Sequence, residues 1–180
     1  MQTWNNKDLT YVSHPYDPVY SPTSKILILG TIPSLGSRKN GFYYMNSQNR
    51  FWLIMEKTFD FEFKYKYNEG EKAIEERKSF LLNHNIALWD VIKSCYIRGS
   101  GDGKIKDAKP NHFFEIFMKT NIKQIFCLGP KAFKFWNNLC KNIYKKPAIC
   151  LPSTSSWGQI YNKTDKLVQE FKEAILPVLN

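Results

Sequence analysis

Short apolar runs that stop at turn residues mark out the middle of the chain. Residues 25–30 (KILILG) form such a run, ending at Gly30. An unbroken run of this length is the pattern of a parallel strand buried on both faces. Residues 85–92 (NIALWDVI), 123–129 (KQIFCLG) and 147–151 (PAICL) repeat it. Between the runs the spacing becomes helical. Residues 48–59 carry Phe51, Trp52, Ile54, Met55 and Phe59, and residues 71–83 gather Ala73, Ile74, Phe80 and Leu81 on one face. Further helices are predicted from Pro110 or Asn111 to Thr120, from Pro130 to about Ile143, and over 164–179 with Thr164 as its cap. Residues 57–67 mix basic, aromatic and acidic side chains and read as a loop or a short strand.

Strands alternating with helices predict an α/β fold, a three-layer α/β/α sandwich around a central four-stranded parallel sheet. No linker, repeat or low-complexity tract interrupts it, so residues 1–180 read as one domain. Such sheets bind ligands outside the carboxyl ends of their strands. Four connections meet there: residues 31–47, residues 90–111, the turn at Gly129–Pro130, and residues 152–158. Residues 93–111 read as one long loop with a Gly-Ser-Gly-Asp-Gly centre, and a connection of that length is one a domain uses.

Composition removes several classes. Of 180 residues, 43% are hydrophobic and 16% aromatic, too many for a chain that stays solvated. No apolar run approaches the roughly 18–20 residues of a membrane span. The first residues lack the pattern of a secretory signal, so the expected location is the cytoplasm, or the nucleus in a eukaryotic cell. Cys95, Cys127, Cys140 and Cys150 form no CxxC pair, and the three histidines lack ligand spacing, so neither a metal nor a cofactor is expected. Reduced thiols are expected instead, with Cys127 and Cys150 packing as small hydrophobes.

Charge is more telling in its distribution than in its total. The formal net charge is +10, and from Ile116 to Thr164 there are eight lysines and no acidic residue. One-sided positive charge attracts polyanions, because each neutralised phosphate releases counterions. The loops carry matching chemistry. Residues 42–52 (FYYMNSQNRFW) set the flat rings of Tyr43 and Tyr44 beside uncharged amides, which suits a planar heterocycle. Residues 153–156 offer four consecutive hydroxyls, groups that contact phosphate oxygens. The Gly30–Ser34 turn (GTIPS) is neither a P-loop nor a dinucleotide fingerprint.

Taken in order, His14-Pro15-Tyr16, residues 26–52, the stretch from NIALWDV to KPNHF (residues 85–113), and LPSTSS (residues 151–156) resemble the uracil-DNA glycosylase superfamily. Within it they are most similar to the branch of hypoxanthine-DNA glycosylases. The resemblance implies a monofunctional enzyme of base excision repair. It would flip a deaminated base, hypoxanthine or uracil, out of DNA and leave an abasic site. Asn49 would be its catalytic residue, and Gly30, Thr31 and Ile32 would line the base pocket. Tyr43 or Tyr44 would stack on the base, and Asp90 would read its edge. Ser34 and the Pro152, Ser153, Thr154, Ser155, Ser156 and Trp157 loop would touch DNA, with Lys131 beside them. The partner implied is DNA with a damaged or mismatched base, with no membrane, no obligatory protein partner, and a monomeric enzyme.

Three positions depart from the branch. Asn46-Ser47 stands where a His-Pro is usual, Pro110-Asn111-His112 stands for Pro-Asn-Asp, and Cys127-Leu128-Gly129 stands for Phe-Asn-Gly. These bear on the choice of substrate. Two other readings compete: a nucleic-acid-binding relative without catalysis, and a Rossmann-like enzyme acting on a small nucleotide.

Overall fold

The structure, a computed structural model, describes residues 9–98, 105–155 and 164–180. Its central sheet is built from β2 (Ile26–Gly30), β3 (Ile86–Asp90), β6 (Gln124–Leu128) and β7 (Ala148–Leu151), in the order β3-β2-β6-β7. Every pairing in it is parallel. All five residues of β2 are buried. Ile26 and Ile28 pack into one hydrophobic cluster with α2 (Phe51–Phe59), α3 (Gly70–Asn83) and α7 (Thr164–Leu179). Leu27 and Leu29 pack into the other, with α4 (Phe114–Lys119) and α5 (Gly129–Leu139). Covered on both faces, the strand has no polar position, which is why the sequence shows a run and not an alternation. The three-layer α/β/α arrangement predicted from the sequence is therefore the one observed.

One expectation fails. Residues 93–111 are not a long loop, because β4 (Ile92–Arg98) and β5 (Ile105–Pro110) pair antiparallel there. With β1 (Leu9–Ser13) they form a second sheet, ordered β1-β4-β5. Its inner face buries Val12, Cys95 and Ile97 against the second cluster. Only one face is apolar, so each strand offers two or three hydrophobic positions among lysines and serines. The glycines between β4 and β5 hid that weak alternation; most of that stretch, residues 99–104, lies outside the described residues.

Smaller differences have local causes. A short helix, α1 (Leu35–Lys39), interrupts the first loop, capped by Ser34 Oγ accepting from Ser37 N–H. The predicted helix over 130–143 is two helices, α5 and α6 (Lys141–Tyr144), separated at Cys140, where φ is −123°. Residues 60–69 form no strand. Glu56 accepts from the amide of Phe63, and Glu76 accepts from those of Lys64 and Tyr65. Buried Arg77 donates to the carbonyls of Tyr65 and Ala73 beneath the rings of Phe63 and Tyr67. Cys95, Cys127 and Cys140 are buried and in no disulfide, and burial pushes the Cys140 thiol up to about 12. Cys150 was expected in the core but is exposed, because β7 is an edge strand. Among the described residues no helix is long and apolar enough to cross a membrane.

Candidate active site

β2 and β3 end in register, Gly30 opposite Asp90, at the carboxyl edge of the parallel sheet. The loops beyond them are tied together by backbone bonds: Val91 N–H donates to Gly30 O, and Ile92 N–H to Thr31 O. Asn111 is 3% exposed, and its side-chain amide donates to the carbonyl of Asp90 at 2.9 Å. Asp90 is thus fixed from behind as well as from its neighbouring strand.

The Asp90 carboxylate is itself nearly buried, at 3% exposure, and its Oδ2 lies 2.9 Å from Nε2 of His14. The backbone amide of Tyr16 donates to Nδ1 of the same ring. An amide N–H can only donate, so Nδ1 carries no proton and Nε2–H is the group that donates to Asp90. Among the described residues no hydrogen bond is made to the other oxygen, Oδ1. It lies over Gly30, where a Cβ would meet it at 2.2 Å and would meet the hydroxyl of Tyr44 at 2.3 Å. Glycine is required at position 30 because two oxygens occupy the space a side chain would take.

The two tyrosines divide their work. Tyr43 is 1% exposed, its hydroxyl donates to Asp17 O, and its ring packs on His14 and Tyr16. It supports His14 from behind. Tyr44 is half-buried with φ of +56°, a left-handed conformation uncommon for a tyrosine, and its ring lies 4.3 Å from that of Phe51. Strained backbone of this kind concentrates at functional sites. Ile32 is buried in the second cluster and Thr31 is buried at the turn, both on the core side of Gly30.

Asn49 stands at the entrance to α2. Its Oδ1 accepts from Phe51 N–H and from the hydroxyl of Thr154, both at 2.9 Å. These two donors fix which end of the amide is oxygen. Among the described residues its Nδ2 makes no hydrogen bond. Asn46 builds the turn that delivers Asn49: Asn46 O accepts from Asn49 N–H and its side chain from Gln48 N–H.

The hydroxyl loop is latched to the same place. Thr154 is 2% exposed, and its carbonyl accepts from Arg50 N–H while its hydroxyl holds Asn49. Arg50 also donates to Ser155 O. Ser153 packs against Gly129, whose φ of +86° opens α5. Pro152, Ser153 and Ser155 are partly exposed, and Lys131 lies in the first turn of α5. Ser156 and Trp157 lie outside the described residues. The structure therefore brings Gly30, Tyr44 and Asp90 into one cluster and Asn49 with Thr154 into a second. The tilted ring pair Tyr44–Phe51 joins the two.

His14 was not given a role by the sequence. Its partner is 76 residues away, and its only sequence signal is its place in the His-Pro-Tyr stretch ahead of the first parallel strand. The same side-chain cluster predicts a pH dependence. Burial pushes the Tyr16 phenol up to about 12, and pushes Tyr43 higher still, with Asp90 adding to both. A raised phenol favours folding while it stays protonated, so this stability is complete below the ordinary value of 10.0 and is lost as pH rises above it. Urea midpoints should hold steady to about pH 9.5 and fall beyond pH 10; midpoints level to pH 11.5 would contradict the burial of these phenols.

A parallel sheet whose strand ends carry a buried acceptor, a half-buried ring and an oriented amide defines an α/β protein with a polar side-chain cluster at its carboxyl edge. Residues 18–179 match the model of the uracil DNA glycosylase superfamily, and the chain belongs to that family. It is 26% identical over 152 residues to a hypoxanthine DNA glycosylase of Methanosarcina acetivorans, covering 84% of this chain and 92% of the relative. To a hypoxanthine DNA glycosylase of Methanosarcina barkeri it is 30% identical over 119 residues, 65% of this chain and 71% of that one. The solution NMR structure of a Methanosarcina acetivorans protein named for the uracil DNA glycosylases superposes with a TM-score of 0.72 at 25% identity, covering 91% of this chain and 98% of the other.

Proposed function

We propose that this protein is a monofunctional DNA glycosylase that removes a deaminated base, hypoxanthine or uracil, and leaves an abasic site. Family membership and the two relatives named hypoxanthine DNA glycosylase support the reaction class. The observation that carries the choice of base is Asp90, a buried carboxylate with one oxygen held by His14 and the other over Gly30. Deamination turns the ring nitrogen of adenine or cytosine from a lone pair into an N–H. A fixed acceptor therefore favours the deaminated base, and a site built for such a bond discriminates strongly against the partner that cannot make it.

The base must leave the stack to reach Asp90, at a cost of a few kcal/mol that is least for damaged or mispaired bases. Stacking on Tyr44 returns about 1–3 kcal/mol. To meet Oδ1 the base edge slides past the Tyr44 hydroxyl, which shares the space over Gly30. The glycosidic C1′–N bond then breaks, its electron pair leaving with the base. Water adds to the oxocarbenium-like C1′, forming the C1′–O bond and losing its proton to solvent. Asn49 is neutral and cannot remove that proton, but an Nδ2–H donor can hold the water oxygen in line. Positioning of this kind is a large catalytic term when the electrophile is already reactive. The hydroxyl loop around Thr154 and the lysines would carry the phosphates.

The test is a panel of labelled duplexes carrying hypoxanthine, uracil or xanthine, with undamaged controls. The expected result is alkali-labile strands from hypoxanthine, uracil or both, and none from the controls. Bound DNA without any product would contradict the enzyme reading and favour the binding-only relative.

A further inference from the structure

We infer that the outer face of the β1–β4–β5 sheet is a platform for unpaired bases of the DNA strand beside the lesion. This rests on the reading that DNA is the substrate, and it goes further by stating in which form the DNA is bound. Register places Tyr11 opposite Tyr96, and Tyr96 opposite Lys106, in one row across three strands. The next row is Ser13, Ser94 and Lys109. A bulge makes this possible. Two steps on β4, Ser94 to Tyr96, face three on β5, Lys109 to Lys106, and Asp107 absorbs the extra residue at φ of +51°. Without the bulge, two lysines three residues apart would point to opposite faces.

The opposite face is core; on this one Tyr11, Tyr96 and Lys109 are exposed and Lys106 is half-buried, while Ser94 is buried. Tyr11 is 57% and Tyr96 40% exposed, with ring centroids 5.4 Å apart. Among the described residues of the sheet Asp107 is the one acid, against Lys93, Lys106 and Lys109. Exposed aromatic rings beside lysines suit nucleotides, the rings taking base faces and the lysines the backbone. Within a duplex the base faces are covered by their neighbours, so rings aimed outward can only be met by bases that are unpaired.

The sheet also grows directly from the pocket wall. β1 runs into His14, β4 begins two residues after Asp90, and His14 N–H donates to Lys93 O. Tyr11 lies three residues from His14, about 10 Å along the strand, a distance that a few nucleotides cover. Lesions in single strands or in bubbles should therefore be bound more tightly than lesions in perfect duplex.

The experiment uses the full chain and fluorescence anisotropy with three labelled DNAs: a single-stranded oligothymidine, a hypoxanthine duplex, and the same duplex with a three-base mismatch bubble beside the lesion. The double variant Tyr11→Ala/Tyr96→Ala should weaken the single strand and the bubble about tenfold or more and leave the perfect duplex within about twofold. The Tyr11→Phe/Tyr96→Phe variant should bind as the native chain does. Thermal unfolding accompanies each variant, and Tyr11→Ser alone, on the edge strand, replaces the pair if the double variant does not fold. Three results would overturn the platform: native protein that ignores the single strand, variants that bind it unchanged, or equal losses on duplex and bubble. Excision run alongside separates the two claims. Tyrosine-dependent binding without excision by the native protein sinks the glycosylase reading alone, and excision with tyrosine-independent binding sinks the platform alone.

Discussion

Gly30→Ala should remove most base excision while leaving a folded protein. A single methyl group would stand 2.2 Å from Asp90 Oδ1 and 2.3 Å from the Tyr44 hydroxyl, far inside van der Waals contact. Neither atom can stay. Asp90 is held by His14 and by its place opposite Gly30, so the carboxylate must turn at the expense of the His14 bond, and Tyr44 must lift from Phe51. Both displaced atoms end side chains, so the fold absorbs the change at about 1–3 kcal/mol. Catalysis has less tolerance, because a misplacement near 1 Å costs on the order of 10²-fold. Single-turnover excision together with a thermal melt reads both quantities. Native-like rates in this variant would show that the position of Asp90 is not required.

Asp90→Asn should invert the chemistry of the pocket at nearly constant shape. His14 Nε2–H needs an acceptor, and the Tyr16 amide prevents the ring from offering its other tautomer. The new amide must therefore give its oxygen to His14 and aim its NH₂ over Gly30. A donor there opposes the ring N–H of hypoxanthine and uracil and matches the lone pair of adenine or cytosine. Excision of the deaminated base should fall on the order of 10²-fold or more, the scale on which sites reject a partner of the wrong hydrogen-bonding sense. Rates within twofold of native would remove Asp90 as the reader of the base.

These expectations depend on contacts that the sequence shows only in part. The four parallel strands are legible because β2 is buried on both faces and the others are short, nearly unbroken apolar runs that end at turn residues. The antiparallel sheet is not legible. Val12, Cys95, Ile97 and Ala108 are its inward residues, too sparse to outweigh the glycines and lysines around them. Candidate residues supplied by local motifs, Gly30, Asn49 and Asp90, lie at the carboxyl edge of the sheet as the topology requires. What a linear reading misses is pairing across the fold. His14 meets Asp90 over 76 residues, and Thr154 meets Asn49 over 105. Only closure of the sheet brings such residues together, so a lone histidine and a serine-threonine loop carry no sign of their partners. The same limit applies to the tyrosines, since adjacent residues in one motif differ once Tyr43 is fully buried and Tyr44, with its left-handed backbone, is half-buried with its hydroxyl over Gly30.

The most direct measurement sets the native protein beside Asn49→Ala on hypoxanthine and uracil duplexes, at enzyme in excess over DNA, with alkali to reveal abasic sites and anisotropy to follow binding. The account predicts product from a deaminated base by the native chain. It predicts a loss on the order of 10²-fold in the variant, as when one positioned polar group is removed from a catalytic site, with DNA affinity retained. Equal excision by both proteins would contradict the assignment of Asn49, and no excision by either would contradict the enzyme itself.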